Sequence, residues 1–399
     1  MGMAAGLSRS RLDRMRRVLS GYIERKEIAG LVALVSHHDD VHVETLGTLS
    51  IDQPAPMKRD AIFRIASLSK PITAVAAMML VEDCKLRLDD SIEPWLPELA
   101  NRRVLRSMTS EMDDTVPAQR PLTVRDLLTY RTGFGSVMAP PDTYPIQKLI
   151  REYKIGGDGP PLPAQAPTTE EWVKRFGSLP LMAQPGERWM YHVSHEVLGV
   201  LIARVSGRSL GAFLQERIFD PLGMSSTKFV LRPAEWTRMA EPLPSDSILQ
   251  LAEKDRRDHP EWESGGGGLV SSIRDYGRFA QMLLNGGEFD GRRYLSPAAF
   301  KLMTTDHIGP GSGVGRDYFY FPGDGFGYGY GIGVRTDPGN AKPPPPGSIG
   351  ELKWDSGSGT YFGIDPKLDV VYIMMEQSQP ERGRITPAFK KLVYDAFGQ

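Results

Sequence analysis

The 399-residue sequence has very little cysteine and almost no net charge. Cys84 is the single cysteine, so no disulfide can form within the chain. Because Cys84 follows an apolar segment, we expect a buried structural thiol and not a catalytic one. The 48 basic and 49 acidic residues leave a formal net charge of -1. Such a balance gives no electrostatic reason to expect a nucleic acid or an anionic membrane surface as a partner.

The N-terminal segment also lacks a long hydrophobic run. Residues 1–19 contain several arginines but no apolar stretch that could form the core of a signal peptide or a membrane span. The sequence therefore predicts a cytoplasmic protein that acts on a small molecule, with no membrane or nucleic-acid partner. It does not determine the oligomeric state.

Strand-like segments lie at both ends of the chain, and helix-like segments lie in the middle. Runs rich in β-branched residues occupy 31–36, 41–46, 360–364 and 370–375, whereas helical periodicity dominates from about residue 91 to 260. The two ends must therefore pair with each other. This predicts an α/β (α+β) fold, with a discontinuous sheet domain of residues 1–90 and 261–399. A mainly helical domain of residues 91–260 is inserted into it, and the active site is expected in the cleft between them.

Ser67 ends a short apolar extended run, and the small and apolar residues 74–80 that follow predict a buried helix. Ser67 and Lys70 are three residues apart, so their side chains share one face of the first helical turn. A serine hydroxyl is a poor nucleophile until a base takes its proton, and Lys70 is the nearest candidate. A lysine with its ordinary pKa of about 10.4 is protonated at pH 7, so burial or a partner must lower its pKa.

Tyr191 is the predicted partner of Lys70. It lies just before the helical segment 195–205. We expect the pKa of its phenol, ordinarily about 10, to be lowered beside an ammonium group. Lys70 and Tyr191 would then relay the proton from Ser67 to the leaving group.

Four ordered motifs resemble those of the serine β-lactamase and penicillin-binding-protein superfamily. They are Ser67-Leu68-Ser69-Lys70, the segment 185–194 around Tyr191, the segment Gly266 to Ser271, and the segment Trp354 to Thr360. The sequence is most similar to the family VIII carboxylesterases, which look like class C β-lactamases. The resemblance runs from about Leu12 to the C-terminus.

This resemblance implies an antiparallel sheet flanked by helices, with the helical domain inserted. It also implies a Ser67 nucleophile, Lys70 and Tyr191 as the acid–base pair, and an acyl-enzyme that water later hydrolyses. By the same resemblance, the backbone amides of Ser67 and Gly357 form the oxyanion hole. Neither a metal nor an organic cofactor is implied.

Two departures from the class C pattern favour an ester over a β-lactam as the substrate. Val193 stands where those enzymes have an asparagine that helps to hold the lactam amide. Trp354-Asp355-Ser356 replaces Lys-Thr-Gly and is similar to the Trp-x-Gly of the esterases, although Ser356 in place of glycine predicts narrower access. Phe134 and Tyr328 are further candidates for substrate contacts.

Two stretches are rich in glycine, and the sequence does not determine whether residues 138–167 and 309–330 cover the site. Residues 138–167 are rich in proline and glycine, which predicts a long functional or mobile loop without regular structure. Residues 309–333 alternate glycine with aromatic residues. These aromatics either wall an apolar pocket or belong to the core of a loosened pair of strands.

Three other motifs are interpreted as structural. Gly207 to Gly211 matches the G-x-S-x-G elbow, but Ser209 lies between two helical segments and lacks the strand that the elbow requires. His192, His195 and Glu196 fit no zinc-binding spacing, so we expect a surface or supporting role for the two histidines. The run 265–268 lacks the Lys-Ser/Thr end of a phosphate loop and indicates a tight chain crossing.

The sequence therefore predicts a serine hydrolase that cleaves carboxylic esters of small to medium acyl chains. A β-lactamase, a D-amino-acid peptide hydrolase and an acyltransferase on the same machinery are the alternatives, and the esterase could carry weak β-lactamase activity. A non-catalytic ligand sensor with this fold is the alternative of another class.

Overall fold

The computed structural model describes residues 6–52, 54–156, 168–247, 249–250, 254, 263–309, 323–378 and 380–397. The strands in these residues are, in chain order, β1 (Gly30–His37), β2 (Asp40–Gly47), β3 (Ile62–Arg64), β4 (Arg103–Leu105), β5 (Thr115–Pro117), β6 (Val270–Ser272), β7 (Glu288–Phe289), β8 (Arg292–Arg293), β9 (Phe326–Tyr328), β10 (Gly333–Arg335), β11 (Leu352–Asp355), β12 (Tyr361–Asp365) and β13 (Val370–Met375).

A seven-stranded antiparallel sheet joins the two ends of the chain. Its strand order is β2-β1-β13-β12-β11-β10-β9, and Val32 of β1 lies opposite Met375 of β13. The expected sheet built from both ends is therefore confirmed. The division of the chain at residues 90 and 260 stays a prediction.

Helices cover both faces of this sheet and fill the middle of the chain. They are α1 (Arg9–Glu24), α2 (Ser69–Glu82), α3 (Val124–Leu128), α4 (Pro145–Glu152), α5 (Thr169–Ser178), α6 (Ser194–Ser206), α7 (Leu210–Leu214), α8 (Asp220–Leu222), α9 (Ile273–Leu284), α10 (Pro297–Met303) and α11 (Arg382–Ala396). Short 3₁₀ turns span Ala66–Leu68, Pro97–Leu99 and Pro233–Arg238, and a π-turn, Gln215–Phe219, joins α7 to α8.

Strand β1 is buried along its whole length because both faces of the sheet are covered. Leu31, Ala33 and Val35 pack with residues of α1 and α11. Val32 and Leu34 face the larger core, which includes α2 and α9. This alternation is the period of two that a strand imposes on its side chains.

Helix α2 is the buried helix that the sequence predicts. Its residues are buried from Ser69 to Leu80, and it packs against α6. Small side chains such as Ala74 and Ala77 let neighbouring segments approach closely. The helix therefore begins inside the core, and the partly exposed Ser67 lies just before its first residue.

Two sequence expectations were wrong. Cys84 is exposed, because α2 ends at Glu82 and the turn that follows directs the thiol outward. The segment 138–167 is not without regular structure, since it contains α4. Pro145 starts this helix and the Gln147 side chain accepts a hydrogen bond from the Tyr144 amide, a start signal that the overall composition concealed. Residues 157–167 and 310–322 lie outside the described residues.

Within the described part of the chain, no single helix is long and apolar enough to cross a membrane. One bent pair, Ser194–Ser206 with Leu210–Leu222, passes that test when its two halves are taken together, with a bend of 76°.

A buried group of charges ties α11 to the sheet. Glu351 is completely buried just before β11. Lys390 Nζ lies 2.6 Å from one of its carboxylate oxygens and Arg335 Nη1 lies 3.2 Å from the other. The Tyr372 hydroxyl also donates a hydrogen bond to this carboxylate. Removing Glu351 would leave two buried cations without their shared counter-charge.

We therefore expect Glu351→Ala to lower the free energy of unfolding by about 3–5 kcal/mol, measured by urea denaturation. Glu288→Ala is the control, because Glu288 pairs with Arg293 at the exposed surface. It should change stability by less than about 1 kcal/mol. Equal effects of the two substitutions would contradict a structural role for the buried group.

Candidate active site

Ser67 lies in the tight turn Ala66–Leu68, which joins β3 to α2. Ala66 has a φ of 39°, a backbone conformation that non-glycine residues seldom adopt. Ser67 is partly exposed, whereas Leu68 and Lys70 are buried. The turn therefore presents one hydroxyl to the surface while the residues after it enter the core.

Lys70 is completely buried and points back at Ser67. Its Nζ lies 3.0 Å from Ser67 Oγ and also donates a hydrogen bond to the Gly266 carbonyl. Burial lowers the pKa of Lys70 to about 7, against the opposing effect of the negative charges of Glu196 and Asp355. A large fraction of the amine is thus neutral near pH 7, and a neutral amine within hydrogen-bond reach of a hydroxyl can act as its base.

Tyr191 contacts both Ser67 and Lys70. Its hydroxyl is hydrogen-bonded with the Ser67 side chain and accepts a hydrogen bond from Trp354 Nε1 at 3.3 Å. Lys70 Nζ lies 4.8 Å from the centre of the phenol ring. Burial raises the pKa of Tyr191, although the hydrogen bonds to Ser67 and Trp354 act in the opposite direction. The expected lowering of this pKa was wrong, and the phenol stays protonated at neutral pH.

Aromatic rings hold Tyr191 in place. Trp189 stacks on it with the ring centres 5.7 Å apart, and Tyr130 lies 5.0 Å away. Tyr328 contacts both Trp189 and Trp354, at 5.4 and 5.1 Å. These rings are buried, so they fix the orientation of the phenol and keep water away from its inner side.

The turn after β11 lies beside Ser67. The Ser358 hydroxyl donates to the Arg64 carbonyl at 2.7 Å, and the Thr360 hydroxyl donates to the Ile65 carbonyl at 3.2 Å. Gly357, between β11 and these contacts, is partly exposed. Within the described residues, neither the Gly357 amide nor the Ser67 amide donates a hydrogen bond to the protein. The turn that carries Gly357 is thus bonded to the backbone just before Ser67, and the oxyanion hole formed by these two amides stays a prediction.

The side chains predicted to contact the substrate are all buried. Each is at most 2% exposed. They are Trp354, Val193, Ser356, Phe134 and Tyr328. Their burial depends on packing between segments that are distant in sequence, and their contact with a substrate stays a prediction.

Two of these residues have clear supporting roles. Phe134 packs edge-on against Phe176 at 5.0 Å, and the loop that follows it donates a 2.6 Å hydrogen bond from the Ser136 amide to the Tyr191 carbonyl. The Ser356 hydroxyl bonds with Ser358 and Thr360 and so stabilises the turn that carries Gly357. Ser356 thus acts inside the turn and does not narrow the pocket through an exposed side chain.

The glycine run 265–268 is a close chain crossing, as predicted. A Cβ on Gly265 would lie 2.5 Å from the His195 carbonyl, and one on Gly266 would lie 2.5 Å from Glu196 Oε1. Only glycine lets this segment pass between α2 and α6 and bring the Gly266 carbonyl to Lys70. The sequence motif revealed the glycines but not their contact with Lys70.

The rival motifs carry no second site. Ser209 caps α7 through the Ala212 amide and donates to Glu263, so it serves helix geometry. His192, His195 and Glu196 are buried, not on the surface. In the described part of the chain, no group of three or more His, Cys, Asp and Glu side chains could hold a metal ion.

The Beta-lactamase family matches residues 15–394 of this chain. The chain therefore belongs to the Beta-lactamase family. The family predicted from the ordered motifs is confirmed.

Individual relatives add detail. Protein Rv1367c of Mycobacterium tuberculosis is 34% identical over 378 residues, which cover 89% of this chain and 87% of that protein. Lovastatin esterase of Penicillium rubens is 33% identical over 275 residues, covering 66% of this chain and 64% of the esterase. Among solved structures, EstCE1, described as a hydrolase with promiscuous acyltransferase activity, superposes with a TM-score of 0.77 at 24% identity, covering 96% of this chain and 98% of EstCE1.

The pKa of Lys70 leads to a prediction for the reactivity of Ser67. Labelling of Ser67 by a fluorophosphonate, followed by intact mass, should rise with pH and reach half its maximal rate near pH 7. Lys70→Ala should slow labelling about a hundredfold or more and remove this inflection. An inflection near pH 10, the ordinary range of lysine, would show that Lys70 is not the buried base.

Trp354→Phe tests the hydrogen bond to Tyr191 separately. The ring is kept but the Nε1 donor is lost, so we expect the labelling rate to fall up to about tenfold while its inflection stays near pH 7. Trp236→Phe is the control, because Trp236 packs in a separate cluster with Leu231 and Met239. Equal labelling rates for the Trp354 and Trp236 variants would show that the hydrogen bond from Trp354 to Tyr191 does not contribute to the reactivity of Ser67.

Proposed function

We propose that this protein is a serine carboxylesterase that cleaves esters of small to medium acyl chains. The observation that carries the proposal is the 3.0 Å hydrogen bond between Ser67 Oγ and a buried Lys70 with a pKa lowered to about 7. The near-zero net charge fits a neutral small-molecule substrate in the cytoplasm better than a charged macromolecule. The residues around Ser67 supply the groups that acyl transfer needs without a metal or a cofactor.

Acylation begins when Lys70 takes the Ser67 proton as Ser67 Oγ attacks the ester carbonyl. The carbonyl oxygen becomes an oxyanion, which the Ser67 and Gly357 amides stabilise. When the bond to the alcohol breaks, the protonated Tyr191 hydroxyl donates its proton to the leaving oxygen. The Lys70 ammonium then returns a proton to Tyr191, so both groups regain their starting states.

Deacylation repeats these steps with water in place of Ser67. Lys70 and Tyr191 accept and return the proton, the same two amides hold the second oxyanion, and the carboxylic acid leaves Ser67. The raised pKa of Tyr191 suits it to donate a proton to an alkoxide, which is a strong base. A phenol that was already ionised could not do so.

An ester is favoured over a β-lactam by the surroundings of Tyr191. Val193 is apolar and buried, so it offers no amide group to hold a lactam. Trp354 takes the position of the lysine in the Lys-Thr-Gly motif of class C β-lactamases. Its Nε1 donates a hydrogen bond to the Tyr191 hydroxyl. The match to lovastatin esterase, named for an ester substrate, supports the same choice.

Acyl transfer to an alcohol is the second candidate. The acyl-enzyme is common to both reactions, and EstCE1 is described as a hydrolase with promiscuous acyltransferase activity. An alcohol in place of water would yield a new ester from the same intermediate. The two reactions are therefore distinguished by the acceptor and not by the nucleophile.

The test compares hydrolysis of p-nitrophenyl acetate and butyrate with that of a chromogenic cephalosporin. We expect ester hydrolysis to exceed cephalosporin hydrolysis, and Ser67→Ala to lower it about a thousandfold or more. Added short alcohols should divert part of the acyl group to new esters if acyl transfer also occurs.

Ser209→Ala is the matched control, because it removes the hydroxyl of the rival motif. It should leave ester turnover near the native value. Activity that survives in Ser67→Ala but not in Ser209→Ala would overturn the assignment, and preferred cephalosporin turnover would replace the esterase with a β-lactamase. If neither substrate is hydrolysed while Ser67 is still labelled by a fluorophosphonate, the result would support the alternative that the protein is a non-catalytic ligand sensor.

A further inference from the structure

The first turn of α6 places two buried side chains behind Lys70. His195 is completely buried and Glu196 is 3% exposed. His195 stacks on Tyr130 with the ring centres 4.8 Å apart. Neither side chain takes part in the proton transfers described above, yet a carboxylate is costly to bury without a purpose or a partner.

Glu196 is linked to Lys70 through the glycine run. The Ser264 hydroxyl donates to Glu196 Oε1 at 2.7 Å, and Gly266, two residues further on, accepts the hydrogen bond from Lys70 Nζ. The Thr73 hydroxyl of α2 donates to the Gly265 carbonyl at 2.7 Å. The segment 264–266 is thus held by α6 on one side and by α2 on the other.

The contact between Glu196 and this segment is close. A Cβ on Gly266 would lie 2.5 Å from Glu196 Oε1, so the carboxylate lies directly against the backbone that holds the lysine. The hydrogen bond from Ser264 and this close approach both restrict the backbone that offers the Gly266 carbonyl to Lys70. The carboxylate is therefore in a position to control both the location and the charge of the Lys70 amine.

We propose that Glu196 is a positioning residue for Lys70, which holds the Gly266 carbonyl in place through Ser264 and stabilises the protonated amine with its own negative charge. The inference rests on the proposed function, in which Lys70 is the base for Ser67. Glu196 would set the position and the proton affinity of this base.

The other charged and titratable groups around Lys70 leave Glu196 as the leading opposing charge. Burial lowers the pKa of His195 well below its ordinary value, so His195 is neutral near pH 7. The protonated Tyr191 is also neutral. Asp355 acts on Lys70 in the same direction as Glu196, but more weakly. Replacing Glu196 alone should therefore change the proton affinity of Lys70 measurably.

The effect of Glu196 on the proton affinity of Lys70 matters for the reaction. Burial leaves the amine neutral and able to accept a proton, but it also disfavours the charged ammonium that forms when the proton is taken. A buried carboxylate restores part of the proton affinity. Lys70 can then hold the Ser67 proton long enough for the new bond to form and release it to Tyr191 afterwards.

The test is Glu196→Gln in the full chain, with the pH dependence of Ser67 labelling by a fluorophosphonate as the readout. Glutamine keeps an oxygen that accepts from Ser264 but loses the charge. We expect the inflection to move to lower pH by about one unit, because the protonated amine loses a nearby opposite charge. The pH profile of kcat/KM for p-nitrophenyl acetate should move in the same direction. An inflection that stays near pH 7 in the folded variant would overturn the charge role.

Glu263→Gln is the matched control. Glu263 immediately precedes Ser264, but its carboxylate accepts from Ser209 Oγ at 3.1 Å and from the Gly211 amide at 2.8 Å, towards α7. The same substitution there should leave the inflection in place. An equal shift in both variants would indicate a general effect of charge and contradict a specific role for Glu196.

Ser264→Ala tests the positioning role without changing a charge, and it decides the matter if Glu196→Gln does not fold. Loss of the 2.7 Å hydrogen bond should lower the maximal labelling rate up to about tenfold, with the inflection little changed. A native labelling rate in Ser264→Ala would overturn the positioning role.

Labelling also separates the two hypotheses. If the native protein is labelled at Ser67 but hydrolyses no ester, the proposed function fails while the shift in Glu196→Gln still tests this inference. If the native protein hydrolyses esters but Glu196→Gln labels with an unchanged inflection, only the inference fails.

Discussion

Burial of the Lys70 amine between Ser67 and Gly266 is the interaction on which the rest of the site depends. A fully hydrated lysine would stay protonated at neutral pH and could not accept the serine proton. The surrounding elements all serve to exclude water from this amine. Helix α2 is apolar on every side, the glycine segment passes close enough to offer a carbonyl, and the aromatic rings around Tyr191 close the remaining side.

The second requirement is that segments far apart in sequence meet at one hydroxyl. Strand β3 has three residues and pairs with β6, outside the large sheet. Its position against the sheet is set by side-chain hydrogen bonds from Ser358, Thr360 and Gln377 to the Arg64 and Ile65 carbonyls. These bonds join the turn that carries Gly357 to the backbone just before Ser67. The spacing of the two amide donors therefore depends on contacts between the N-terminal and C-terminal parts of the chain.

The local features of the site could be predicted from sequence because each depends on near neighbours. The three-residue spacing of Ser67 and Lys70 requires only a helical turn, and the decoy nature of Ser209 follows from the helical segments on either side of it. The antiparallel sheet followed from strand patterns at both ends together with the family resemblance. The ordered motifs were enough to identify the family because these segments, distant in sequence, come together near Ser67 in this fold.

The features that could not be predicted depend on burial. Nothing in the sequence around Phe134 or Tyr328 distinguishes a ring that lines an open pocket from one that packs beneath it. The sequence indicates an ammonium group beside Tyr191, which would lower the pKa of the phenol, but it does not reveal the burial that raises this pKa. The link from Glu196 to Lys70 runs through Ser264 and Gly266, which are distant in sequence from both helices.

In the proposed mechanism Lys70 and Tyr191 exchange the proton, and burial acts on the two groups in opposite directions. Removing water disfavours a charged amine, which lowers the pKa of Lys70, and disfavours a charged phenolate, which raises the pKa of Tyr191. One dry environment thus produces a base from a lysine and an acid from a tyrosine at the same pH. A more hydrated site would reverse both changes at once. For this reason the packing of the aromatic rings and the glycine run is as important to the proposed chemistry as the reacting groups themselves.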